Sequence, residues 1–180
     1  MEAKDCIKGR RSIRKYSDKG IGKAELEELI SLSSFAPSWK NSQTARYIAV
    51  LDSDTKEKLI NEGLSCFPHN QDIARSAPAI IVLTSVEKRA GYERDGSFTT
   101  SKGTHWESFD AGIAAQTLCL AAHSMGLGTV IMGIFEEDKV KAAVGVPEGQ
   151  TVAAVIALGY PAEEPSAPKR KDVSELLTYR

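Results

Sequence analysis

The sequence lacks several marks of common protein classes. It has only three cysteines, Cys6, Cys66 and Cys119, an odd number at wide spacing. No pair forms a CxxC, so a zinc ribbon or a thioredoxin-type site has no support, and three reduced, mostly buried thiols are expected. There is no surplus of positive charge: 23 Lys and Arg stand against 24 Asp and Glu, a net charge of -1. That argues against a general nucleic-acid binder, because a polyanion partner needs basic residues to displace its counterions. A local basic patch stays open. There is no long apolar run. The longest, near residues 111–122, is broken by Gln116 and Thr117 and is too short to span a bilayer. The first twenty residues carry charge throughout and no apolar h-region, and the Arg10–Arg11 pair is followed by more charge. A cytoplasmic protein without a membrane partner is the expectation. The three histidines, His69, His105 and His123, are scattered and no HExxH occurs, so none is given a role and no metal site is expected.

What is present is ordinary for a folded chain: 180 residues, 42% hydrophobic and 26% charged, a length suited to one domain spanning residues 1–180. A helix is predicted over residues 3–9. Leu26, Leu29, Ile30 and Ser33 fall at helical spacing within residues 23–35, and Ala36-Pro37 stops that helix. Residues 46–51 read as a strand. Asp54 with Glu57 gives a capping-box-like start to a helix reaching about Leu64. Residues 79–85 read as a second, more buried strand. Residues 87–104 are polar and hold Gly91, Gly96 and Gly103, the pattern of a long loop. Residues 105–125 form the longest helix. Its Ala111, Gly112, Ala114, Ala115, Ala121 and Ala122 permit close packing on several sides. A strand over 129–132, a helix over 136–144 and a nearly continuous apolar strand over 151–159 follow, then a Pro- and charge-rich tail and an amphipathic turn near 173–177. Helices and strands are mixed and helix exceeds strand, which indicates an α+β or α/β sandwich around a central sheet.

Three segments can carry chemistry. In Arg10-Arg11-Ser12-Ile13-Arg14-Lys15-Tyr16, five of seven residues offer strong donors. Guanidinium forks match phosphate oxygens and a hydroxyl adds a bond, while a solvated basic turn or a nucleic-acid patch explains the cluster about equally well. In Ala36-Pro37-Ser38-Trp39-Lys40-Asn41-Ser42-Gln43, amides and hydroxyls suit the edge of a heteroaromatic ring, although an ordinary polar loop is the plainer account. The third segment runs from Gly126 to Arg170. Its Gly126-Leu127-Gly128 follows a helix instead of a strand, so it is no dinucleotide fingerprint. Gly133, after a strand, is placed to bring a backbone N–H near a ligand, or it merely ends the strand.

Taken together, these segments are more specific. RRSIRKY, APSWKNSQ, GLGTVIMGIF and ALGYPAEEP occur in the order and spacing of the nitroreductase-like FMN-dependent oxidoreductases, and the sequence resembles that family over essentially its whole length. The resemblance implies an α+β, three-layer α/β/α sandwich with a central, mostly antiparallel sheet, in an intertwined homodimer with two FMN sites at the interface. It implies that Arg10 and Arg170 grip the FMN phosphate, with Ser12 helping and Arg11 and Lys169 beside them. Arg14 would reach the ribityl chain and the pyrimidine side of the ring. Pro37, Ser38, Trp39, Asn41 and Gln43 would come from the partner, and Met132 and Gly133 would lie against the ring near N5 and O4. Where members place an amide and a lysine, this chain reads His69-Asn70-Gln71-Asp72, so Asn70 or Gln71 would reach the flavin and the lysine is missing. Trp39 is bulkier than usual there and roofs the flavin, narrows the substrate pocket, or packs at the dimer interface. Residues 87–107, with Tyr92, Phe98 and Trp106, are the candidate lid. The implied reaction is ping-pong hydride transfer from NADH or NADPH, through flavin N5, to a nitroaromatic, quinone or similar acceptor, with no catalytic side chain. Flavin fragmentation, reductive dehalogenation and passive flavin binding are the alternatives.

Overall fold

Four strands form the centre of the structure, a computed structural model that describes residues 1–180. They are β1 (Ala45–Val50), β2 (Ala79–Val86), β3 (Gly128–Met132) and β4 (Gln150–Gly159), in the order β1-β2-β4-β3 with every neighbouring pair antiparallel. The alternation of side chains along each strand builds two cores. Ile80 and Val82 of β2, with Val155 and Ala157 of β4, face one core. Ile81 and Leu83, with Ile156 and Leu158, face the other. Both faces are therefore dry, which is why β2 and β4 read as continuous apolar runs although their pairing is antiparallel. At Leu83/Thr84 the β2–β4 register slips by one residue. The extra residue, Ala153, is turned out to solvent, the signature of a bulge.

Helices cover the two faces. On the first lie α3 (Ser53–Lys58) with the turn that continues it, α4 (Pro68–Ser76) and α6 (Glu137–Val144), packed through Leu59 and Ile60 of that turn, Ile73 and Ala74 of α4 and Val140 of α6. On the second lie α2 (Lys23–Ser33) and α5 (His105–Ser124), through Leu26, Leu29, Ala115, Leu118 and Ala122. Each fully buried leucine here contributes about 1.5–3 kcal/mol. The short α1 (Ala3–Gly9) and α7 (Val173–Leu176) flank these layers in sequence. The result is the α+β three-layer sandwich implied by the sequence motifs. No helix is long and apolar enough to cross a membrane. Cys6 and Cys119 are buried free thiols and Cys66 is exposed.

Most expected elements occur within a residue or two of their predicted ends. One helix does not. The segment expected to run from Asp54 to Leu64 is capped two residues earlier, where the Asp52 carboxylate accepts the Thr55 N–H at 2.8 Å. It then widens into a π-type turn over Leu59–Gly63. The wider turn brings Gly63 against α6: its carbonyl accepts the Glu136 N–H at 2.8 Å, and a Cβ on Gly63 would lie 2.8 Å from Val140 Cγ2. Helix α4 was not anticipated at all. Its polar sequence hides a buried stripe of Asn70, Ile73 and Ala74, entered through Pro68 in the first helical turn. The 105–107 end of the expected lid is the first turn of α5.

The contact that sets the functional region joins the chain's beginning to β3. Residues after α1 run extended beside β3, bridging Ser12 to Thr129 in parallel, with the Ile13 N–H donating to the Thr129 carbonyl at 3.0 Å. Ile13 then lies directly over Gly128, where a Cβ would meet Ile13 Cγ1 at 2.6 Å and Pro161 Cγ at 3.0 Å. Gly128→Ala is expected to cost about 1–3 kcal/mol through overpacking. Gly20→Ala, whose Cβ meets nothing within 4 Å, is the control, expected within about 0.5 kcal/mol of wild type. Urea unfolding of both variants checks this, and equal midpoints would show that the close approach can relax.

Candidate active site

The extended run from Arg10 to Arg14 presents alternate residues to one side, and its arginines meet the C-terminal tail. Arg10, Arg11, Ser12, Arg14 and Arg170, with Pro165, Ser166 and Pro168, line a cavity of about 510 Å³ that contains no hydrophobic residue. The only ion pairs in the molecule join Lys23 to Glu27, Lys40 to Glu93, Arg75 to Asp72 and Lys141 to Glu137. All four guanidiniums of the cavity are thus without a carboxylate within 4.0 Å. Arg11 is partly engaged, since its Nη1 donates to the carbonyls of Lys8 and Arg10 at 2.7 and 2.9 Å. Lys169 is exposed and lies outside the lining. Unpaired guanidiniums crowded together repel one another, and a multivalent anion placed among them would relieve that repulsion.

A second cavity, of about 320 Å³, adjoins the first and shares Arg10 and Arg11. It adds three residues that sequence reasoning did not single out: Cys119, His123 and Glu163. Burial raises the Cys119 thiol above its ordinary pKa. Burial and then the charges of Arg10 and Arg11 lower the His123 imidazole below its own. The Glu163 carboxylate accepts the Arg14 backbone N–H at 2.6 Å, which fixes Arg14 without neutralising its guanidinium. No group of three His, Cys, Asp or Glu side chains is placed to hold a metal ion.

At the end of β3, Met132 points into the core and leaves only its backbone outward, while a Cβ on Gly133 would meet nothing within 4 Å. Asn70 is buried and its Nδ2 donates to the Ile134 carbonyl at 3.0 Å, so it holds the segment just past Gly133. Gln71 is directed elsewhere, donating to the Ile60 carbonyl at 2.9 Å.

The polar loop lies apart from these groups. Trp39–Asn41 forms a 3₁₀ turn, and Lys40, Asn41 and Gln43 all adopt positive φ, at 46°, 54° and 49°. Such conformations cost about 1–3 kcal/mol each in residues other than glycine, somewhat less in Asn, and persist only when surrounding contacts hold them. Three contacts do so. The Asp110 carboxylate accepts the Trp39 N–H at 2.8 Å, the Ser38 hydroxyl accepts the Gln43 N–H at 2.9 Å, and the Trp39 ring packs 4.6 Å from Trp106. Within one chain, then, Trp39 ties the loop to α5. Pro37, Ser38 and Gln43 line a separate cavity of about 370 Å³ with Asp110. Asp110 and His123 belong to the same helix, 13 residues apart in sequence, or roughly 20 Å along its axis. A single chain therefore carries the arginine basin and the amide loop at opposite ends of α5.

The long loop over residues 87–104 is ordered by its own contacts. Tyr92 and Phe98 bridge and pack with ring centroids 4.9 Å apart, and Trp106 Nε1 donates to Thr100 Oγ1 at 2.8 Å.

The model of the Nitroreductase family matches residues 7–160. The chain is 31% identical over 167 residues to an Archaeoglobus fulgidus protein provisionally named NADH dehydrogenase/NAD(P)H nitroreductase, covering 89% of this chain and 87% of that one. Among solved structures, a nitroreductase family protein from Clostridium novyi NT superposes with a TM-score of 0.78 at 28% identity, covering 97% of this chain and 91% of that one. A Desulfovibrio desulfuricans protein assigned as a nitroreductase, solved in complex with FMN, superposes with a TM-score of 0.73 at 25% identity over 98% and 95% of the two chains. With the arginine run, the amide loop and GLGTVIMGIF inside the matched region and the start of ALGYPAEEP at its end, the chain belongs to the nitroreductase family.

Proposed function

We propose that the protein is an FMN-dependent oxidoreductase that draws reducing equivalents from NADH or NADPH and delivers them to a nitroaromatic, quinone or similar conjugated acceptor. The whole chain would act as one flavin-binding domain in a cytoplasmic homodimer. The carrying observation is the basin of four guanidiniums without carboxylate partners, in a member of a family whose relatives include a nicotinamide-named reductase and an FMN complex. The donor set fits the group: a phosphate dianion answers the unpaired charge, and a cavity with no hydrophobic lining suits nothing apolar. Arg10, Arg14 and Arg170, with Ser12, would hold the phosphate end. The open backbone at Gly133 would approach the ring, and Asn70 would act indirectly by fixing the neighbouring Ile134 carbonyl. When bound, the flavin supplies the hydride acceptor and donor that the side chains lack.

A second copy is needed because α5 separates the two half-sites. Pairing would bring one chain's Asn41 and Gln43 to the other's basin. Surfaces suited to such a partner are present: Phe109 on α5, Ile131 and Ile134 around the end of β3, and Val173, Leu176 and Tyr179 in the tail are all exposed. Residues 87–104, with Tyr92 and Phe98, would cover the ring.

Arg10→Ala is expected to weaken FMN binding by about 1.5–3 kcal/mol, or roughly ten- to hundred-fold in Kd. Fluorescence titration of the apoprotein measures this, and an unchanged Kd would remove Arg10 from the phosphate site. Anaerobic NADH or NADPH should bleach the yellow holoprotein; a colour that persists with both would exclude a nicotinamide donor.

His123 gives a pH test. Its pKa is lowered in the folded chain from the ordinary 6.5, so the unfolded chain binds the proton more readily. The stability owed to neutral His123 is full above about pH 6.5 and is lost as pH falls through the lower folded value. Wild-type apoprotein should therefore lose more stability between about pH 7.5 and 5.5 than His123→Gln does. Matching urea-midpoint slopes for the two proteins would contradict this.

A further inference from the structure

We propose that Asp110 is a positioning residue: from α5 it holds the 38–43 loop in the left-handed conformation in which Asn41 and Gln43 meet the flavin of a second copy. The inference rests on the flavin reading above. Asp110 is only 4% exposed, yet no cation lies within 4.0 Å of it. An uncompensated buried carboxylate weakens a fold, and a hydrophobic residue at this helix position would avoid that cost. The carboxylate is turned to the loop, accepting the Trp39 N–H at 2.8 Å where the chain enters three non-glycine residues of positive φ. Burial pushes its pKa up while hydrogen bonding from the Trp39 N–H and the Ser42 hydroxyl pulls it down, so its contacts with the loop offset part of the cost of burial.

The surroundings show that the loop is shaped for something outside its own chain. Trp39 Nε1 and Thr44 Oγ1 are buried without a hydrogen-bond partner. A loop optimised for its own protomer would satisfy these atoms and relax its dihedrals. The other fastenings are weaker guides to conformation. The Trp39–Trp106 contact orders a ring, and the Lys40–Glu93 pair at 3.5 Å is between exposed groups. Among side chains, only Asp110 and Ser38 accept from the loop's backbone N–H groups, and only Asp110 does so from a rigid helix.

The test compares Asp110→Asn, Asp110→Glu and Asp110→Ala, each assayed as apoprotein for FMN affinity by fluorescence quenching and as holoprotein for the visible circular dichroism of the flavin. Thermal unfolding is recorded alongside. Asparagine keeps an acceptor oxygen in place and should bind FMN within about threefold of wild type. Glutamate keeps the charge but moves the acceptor by one methylene, and alanine removes it. Both should raise Kd by about tenfold or more and alter the dichroism. Adding Lys40→Gly to Asp110→Ala should recover part of the loss, because glycine adopts positive φ freely. Glutamate binding as tightly as wild type, or asparagine as weakly as alanine, overturns the positioning role, and the asparagine–glutamate comparison decides the matter should alanine fail to fold. A wild-type protein that takes up no FMN would instead overturn the flavin reading itself.

Discussion

The site depends on one steric constraint, the seating of Ile13 over Gly128. Residues that carry several positive charges do not gather of their own accord. Here they are brought together because the segment that bears them is stitched to β3 by the Ser12–Thr129 bridge and anchored by a buried Ile13. The apolar contact supplies the free energy and the guanidiniums accept the resulting repulsion. Glu163 takes part without spoiling the arrangement, since it binds a backbone N–H of Arg14 and leaves the guanidinium unpaired.

The doubly covered sheet serves the same end. With both faces of β2 and β4 packed, the strands cannot slide, and the outer strand β3 offers a fixed edge for the arginine segment. Helix α5 lies across the second face as a rigid spacer. One end touches the arginines through His123 and the other holds the amide loop through Asp110 and Trp106. Neither half can reach the other without breaking that helix.

Much of this was legible in the sequence. The apolar runs over residues 79–85 and 151–159, the small-residue helix and the glycine stops follow from local rules, and the structure agrees with them. The family motifs pointed to Arg10, Ser12, Arg14 and Arg170, which share one cavity. What stayed hidden depends on tertiary contact. Helix α4 has a polar sequence whose buried stripe includes an asparagine, so periodicity of apolar residues missed it. The π-type turn answers to Val140, some eighty residues away in sequence. Asp110 looks like any helix-surface acid until the fold buries it, and His123 looked incidental until Arg10 was set beside it. The positive φ of Lys40 and Gln43 has no local signal, because neither is a residue that favours it.

The division of function between the two ends of α5 has a genetic reading. In the proposed pair of copies, each complete centre would take its basin from one chain and its loop from the other. A chain damaged only in the basin and a chain damaged only in the loop, co-expressed, would concentrate both defects in one centre and leave its twin whole. Two inactive alleles would then complement each other, restoring up to half the activity of each mixed pair.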